Sequence, residues 1–159
     1  MTELVDVISY LVQNYPHKSE LSKARLTKMV YLSDWKFSVD NDKQMTQLNW
    51  FFDNYGPFVW DVIDAINESP NLFTVEETRN SFGAEKSLII LKNQNYDPKI
   101  SAAEKQVLDF VIESTKRLNW NEFINLVYST YPILTSKRYT TLNLPNLAVE
   151  YKKKKNAAV

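Results

Sequence analysis

The chain has 159 residues, of which 44% are hydrophobic, 13% aromatic and 24% charged; this is the composition of one folded domain that buries roughly two-thirds of its unfolded surface, and it excludes a disordered chain. Nineteen basic and nineteen acidic residues cancel, so no global field draws the chain to nucleic acid or an anionic membrane. Cysteine is absent and His17 is the single histidine, which excludes disulfides, thiolate chemistry and a multi-histidine metal site within one chain.

The opening "MTELVDVISYLVQNY" lacks the basic start and small-residue cleavage site of a secretory leader, and no stretch approaches the ~18 apolar residues of a membrane span. A cysteine-free chain of this kind fits a reducing compartment, and a cytoplasmic location is expected. Leu4, Val5, Ile8, Leu11, Val12 and Tyr15 recur at helical spacing, which predicts an amphipathic helix over 3–14 that stops before Pro16.

Ser19 is a candidate cap for a second helix. From Leu21 to Val39 its apolar residues (Leu21, Leu26, Met29, Val30, Leu32, Trp35, Phe37) spread round most of the circumference, which predicts a central, largely buried helix. On it Thr27, Tyr31, Asp34 and Ser38 fall on one narrow stripe, which must face solvent or find hydrogen-bond partners. Arg25, Lys28 and Tyr55 are candidate partners for Asp34.

Leu48, Trp50 and Phe52 alternate with polar neighbours over 47–54 and predict a short strand. Gly56 and Pro57 then predict a strand-to-helix corner: glycine turns the chain and proline starts a helix carrying Phe58, Val59, Val62, Ile63 and Ile66. Six aromatics, Trp50, Phe51, Phe52, Tyr55, Phe58 and Trp60, crowd this corner and serve either as core or as an anchor surface for a partner.

Two β-prone runs around Asn80–Glu85, with Gly83 free to take positive φ, predict a hairpin. "SAAE" at 101–104 has the form of a capping box, opening a helix with Val107, Phe110, Val111 and Leu118 on one face. Asn119 starts another helix bearing Trp120, Phe123, Ile124, Val127 and Tyr131. Residues 132–141 read as irregular, and Pro145 opens a short final helix with Leu147, Ala148 and Tyr151. Residues 151–159, which include four consecutive lysines, read as a basic, flexible tail beyond a domain spanning 1–150. The expected fold class is therefore α+β and predominantly helical, one domain of about five to six helices with a small antiparallel sheet or hairpin.

Catalytic apparatus is missing. Two isolated glycines cannot build a phosphate loop, and no GxSxG elbow is present. Asp61 and Asp64, three apart after Pro57, are the nearest approach to an acid-base pair, yet negative charge in a first helical turn has a sufficient role in complementing the dipole. No enzyme activity, cofactor or metal is expected.

Two segments, "RLTKMVYLSDWKF" at 25–37 and "WFFDNYGPFVWDVIDAI" at 50–66, together resemble the SocA-like antitoxin domain family, also called Panacea. The likeness rests on a helix of the form L-x-K-L-x-Y-L-x-D followed by a Y-G-P element and an amphipathic helix, here Leu26, Lys28, Met29, Tyr31, Leu32 and Asp34, then Tyr55, Gly56 and Pro57. The resemblance implies a mostly helical domain with a small sheet that neutralises a cognate protein toxin by binding it, with an AAA+ protease as a second partner where the antitoxin works as a proteolytic adaptor. It places partner contact on Tyr31, Asp34, Trp35, Tyr55, Gly56, Pro57, Phe58 and Trp60. The alternative from a different class is a phage- or prophage-encoded helical regulator that binds nucleic acid; the neutral net charge weighs against it.

Overall fold

In the computed structural model, residues 2–157 are described. Helix α1 (Leu4–Asn14) ends as expected, with Tyr15 extended ahead of Pro16. A 3₁₀ turn over Lys18–Glu20 precedes α2 (Lys23–Asn41), so α2 starts later than the Ser19 cap predicts. Ser22 caps it instead, accepting from the Arg25 N–H at 3.1 Å. The delay has a tertiary cause: extended Ser22 bridges Leu88 on a strand further on, and the Ile89 N–H of that strand reaches the Leu21 carbonyl at 3.1 Å.

Helix α2 is buried round almost its whole girth, and it packs against α1, a hairpin strand on each side and three later helices. β1 (Phe51–Asp53) and β2 (Gly56–Phe58) form the first antiparallel pair, with Phe51 opposite Phe58 and Phe52 opposite Pro57. α3 (Asp61–Asn67) follows, then the hairpin β3 (Phe73–Arg79) and β4 (Glu85–Leu91), with Phe73 opposite Leu91 and Arg79 opposite Glu85. α4 (Ala102–Thr115) and α5 (Trp120–Tyr128) both open with full capping boxes, Ser101 with Glu104 and Asn119 with Glu122. The chain closes with α6 (Tyr131–Thr135) and α7 (Leu144–Ala157).

The α+β, mostly helical class stands, with seven α-helices and two two-stranded sheets among the described residues. Three elements differ from expectation. The segment read as irregular contains α6, where Pro132 occupies the first turn and Ile133 is driven into the core. Helix α7 continues through the lysines to Ala157, anchored by Leu144 and Ala148 in the core and by Lys152 on the Asp42 carboxylate; the expected tail is thus helical as far as 157, and its last two residues lie outside the described residues.

The third difference concerns Gly56 and Pro57. They do not start a helix; they are the first residues of β2, and α3 begins at Asp61 after Trp60. Asn54 and Tyr55 make the turn without positive φ, and Gly56 follows at φ +101°, the glycine-bulge arrangement of a short hairpin loop. Proline is tolerated in β2 because of register. Phe52, its cross-strand partner, spends its own N–H and C=O on Thr140 and Tyr139, away from β2, so the groups of Pro57 also point outward and the missing N–H leaves the ladder intact. Residues 139–142 thereby bond along the far side of β1, with Tyr139 in a turn at φ +69° and Thr141 bridging Phe51.

A methyl group at Gly56 would sit 3.6 Å from the Tyr128 ring, an ordinary contact, so conformation alone excludes a side chain there. Gly56→Ala is expected to cost about 1–3 kcal/mol, read as a lower urea midpoint with an unchanged slope.

Candidate functional site

The polar stripe of α2 is buried and hydrogen-bonded throughout. Thr27 and Ser38 donate to the carbonyls of Lys23 and Asp34 one turn back. The Tyr31 hydroxyl lies 2.8 Å from Thr130 Oγ1, its ring meets Trp50 edge-on at 5.5 Å, and burial pushes its ionisation well above the usual phenol range.

Asp34 is fully buried. One carboxylate oxygen accepts from the Thr46 N–H at 2.9 Å; the other accepts from Thr46 Oγ1 and from Trp50 Nε1, the latter at 2.8 Å. None of Arg25, Lys28 or Tyr55 reaches it, contrary to expectation, because donors twelve and sixteen residues ahead fold back over α2 and satisfy it without a cation. Burial dominates its titration and pushes the carboxyl up to about 6, against the pull of these bonds.

The two cations near that stripe have roles of their own. Arg25 is buried, donating to Tyr15 Oη at 3.0 Å and to the carbonyls of Leu118 at 2.8 Å and Thr115 at 3.5 Å, with its guanidinium 4.6 Å over the Phe123 ring. It is thereby held by carbonyls at and just past the C-terminal end of α4, where the helix dipole is negative, rather than by an acid. Lys28 is buried beneath the β1–β2 hairpin, its Nζ 3.5 Å from the Pro57 carbonyl; desolvation lowers its ammonium to about 8, opposed by the Asp53 carboxylate. The only local signal for either was a charge set among apolar neighbours.

The eight residues marked for partner contact separate into two groups. Tyr31, Asp34, Trp35, Gly56 and Pro57 are buried; Trp35 stacks on Tyr131 at 6.5 Å and meets Tyr151 at 5.7 Å. Tyr55 is 81% exposed and Trp60 67% exposed, and half-buried Phe58 holds the Trp60 ring edge-on at 5.1 Å. Phe51, opposite Phe58, and Tyr139, bonded through its hydroxyl to Asn54, add exposed aromatic surface that sequence reasoning did not assign to the site. Asp61 and Asp64 sit exposed in the first turn of α3.

The arrangement is an aromatic hairpin clamped from below by buried polar groups. Among the described residues no three His, Asp or Glu side chains gather to hold a metal. Two open clefts, about 700 and 670 Å³, are lined by other segments and do not include Tyr55, Phe58 or Trp60. Among the described residues no helix is long and apolar enough to cross a membrane.

The fold is thus a mostly helical domain with two small sheets, one of which carries exposed aromatics on its surface. The chain matches a family model described as antitoxin SocA-like, Panacea domain, over residues 26–132. It belongs to that family. The match opens inside α2 and closes at the start of α6, so it takes in Asp34, Trp50, both hairpins and the exposed Phe51, Tyr55 and Trp60, but not Tyr139. No curated protein and no solved structure gives a match.

Both buried charges can be tested by substitution and by pH. Asp34→Ala leaves the Trp50 and Thr46 donors buried without an acceptor and is expected to cost about 2–4 kcal/mol. The raised carboxyl pKa means that the native state holds its proton more tightly than the unfolded chain. Stability from this group is full below about 4 and is lost as pH rises through 6. Between pH 7 and pH 5 the wild type should gain about 1 kcal/mol that Asp34→Asn does not, measured by urea unfolding at both pH values. Lys28→Met, which replaces a desolvated cation by an apolar chain of similar length, should stay within about 1 kcal/mol of wild type. The wild type alone should gain stability as pH rises through 8, where its lowered ammonium gives up the proton more readily than in the unfolded chain.

Proposed function

We propose that the chain is an antitoxin-like protein, not an enzyme, that neutralises a cognate protein toxin by direct contact through the aromatic hairpin, with Tyr55, Phe58 and Trp60 as anchors. The observation that carries this reading is the contrast within one short segment: Tyr55 and Trp60 project into solvent while the backbone beneath them is fixed by Gly56, Pro57 and Lys28. Large rigid aromatics on a clamped backbone lose little side-chain entropy on association and are the residue types that dominate interface energies. Family membership supports the antitoxin-like role.

Buried Tyr31 and Asp34 serve this surface from below, positioning Trp50 and the hairpin rather than touching the partner, while buried Trp35 packs on Tyr131 and Tyr151. Capture by this face suits either simple covering of the toxin or its presentation to an AAA+ protease, and toxin lifetime during co-expression separates the two. For the nucleic-acid reading, the lysines of α7 are the natural contact. Three of the four are engaged within the fold, Lys152 on Asp42, Lys154 over Tyr131 and Lys155 over Tyr151, so toxin binding is the better-supported reading.

The test is co-expression with the candidate toxin encoded beside this chain, with growth as the readout: lethality of that partner alone and tolerance with this chain is the expected result, and failure to rescue overturns the proposal. In purified components, Tyr55→Ala and Trp60→Ala are each expected to weaken capture by at least about 2 kcal/mol. Their melting temperatures should match the wild type because both side chains are exposed, and Lys152→Ala should leave capture unchanged.

A further inference from the structure

The geometry points to a second interaction surface, the free edge of β3, as a docking site for an extended basic segment of a protein partner, which would add itself to the β3–β4 sheet as a third strand. This goes beyond the aromatic hairpin and does not depend on it.

The ladder between the strands fixes which backbone groups are free. At the turn the Asn80 N–H meets the Ala84 carbonyl at 2.9 Å, and at the other end the Lys92 N–H meets the Leu72 carbonyl at 2.8 Å. Antiparallel pairs alternate between bonded and non-bonded positions. With the observed register, Thr74, Glu76 and Thr78 therefore face β4, and Val75, Glu77 and Arg79 turn their N–H and C=O outward. Ile89 gives an independent check, since it lies opposite Val75 and sends its own N–H away from β3 to Leu21.

The two edges of the sheet are thus unequal. The edge of β4 is covered by Leu21 and Ser22, whereas among the described residues no hydrogen bond reaches the outward backbone groups of Val75, Glu77 or Arg79. Three donor–acceptor pairs spread over roughly 13 Å form a template for strand addition.

The charge pattern selects the occupant. Glu76 and Glu77 are exposed, adjacent, and on opposite faces of β3. Neither takes part in an ion pair among the described residues, although Glu77 accepts from the Ser87 hydroxyl. A strand with two adjacent cations would place one beside each glutamate. A second copy of β3 would do the reverse, since pairing about either central residue sets Glu76 against Glu76 or Glu77 against Glu77.

The test uses two blocked peptides as probes, acetyl-TVKKVT-amide and acetyl-TVEEVT-amide, at millimolar concentration against the full chain, with amide hydrogen exchange read by NMR. The basic peptide is expected to protect the amides of Val75, Glu77 and Arg79, and the acidic peptide to leave them unprotected. Glu77→Pro deletes one outward N–H and no ladder donor, so it should fold and lose protection at Val75 and Arg79. Glu76→Lys with Glu77→Lys should switch preference to the acidic peptide by about tenfold or more, which keeps the test decisive if the proline variant fails to fold. The proposal is overturned if the basic peptide gives no protection, if Glu77→Pro folds and binds it as the wild type does, or if the free chain dimerises through β3. Tyr55→Ala with Trp60→Ala should retain peptide protection, so failure of this surface and failure of the aromatic one are read separately.

Discussion

The Asp34 carboxylate, buried at the middle of α2 and accepting from Thr46 and Trp50, is the constraint on which the rest of the structure turns. A carboxylate at that depth is costly unless its lone pairs are met. The chain meets them by bringing residues 44–50 back over α2, which seats Trp50 in the core against Tyr31. Trp50 leads directly into β1, so the position of the aromatic hairpin follows from that hydrogen-bond cluster. From the other side of β1 the same hairpin is held by residues 139–142, which ties the C-terminal part of the chain to the surface proposed to meet a partner.

Buried cations show the same economy. Arg25 and Lys28 are inside, yet neither forms a close ion pair; each is met by backbone carbonyls, Arg25 at the end of α4 and Lys28 at Pro57. The Pro57 carbonyl lies on the outward side of a proline-bearing strand, and the carbonyls that meet Arg25 lie at and just past the negative end of α4. The buried charges of α2 thus position neighbouring elements.

Most of the fold was legible in the sequence, because the determining signals were local. The helical period of α1, the two capping boxes and the Asn80–Gly83 turn each depend on a few neighbouring residues. The alternation of Leu48, Trp50 and Phe52 also predicted their burial, although only 51–53 joined a ladder. The candidate site was legible only in part. Its segment stood out through its density of aromatics, but periodicity gave no means of telling Tyr55 and Trp60, which face solvent, from Trp50 and Phe52, which do not. Gly56 and Pro57 were read as a helix start because Pro57 precedes a helical pattern; the outward register that lets proline sit in β2 exists only once Phe52 has bonded to residues 139 and 140.

By itself the sequence determined the class of the fold, the central place of α2, the end of α1, the starts of α4 and α5 and the family likeness, since capping, periodicity and motif spacing are properties of contiguous residues. Only the tertiary structure decided the partners of Asp34, Arg25 and Lys28, the late start of α2, the helical course of the basic C-terminal stretch, and which aromatics remain outside. Each of those outcomes rests on groups ten to more than a hundred residues apart, from Arg25 on Tyr15 to Lys152 on Asp42, and burial and hydrogen-bond satisfaction at that range are settled by packing.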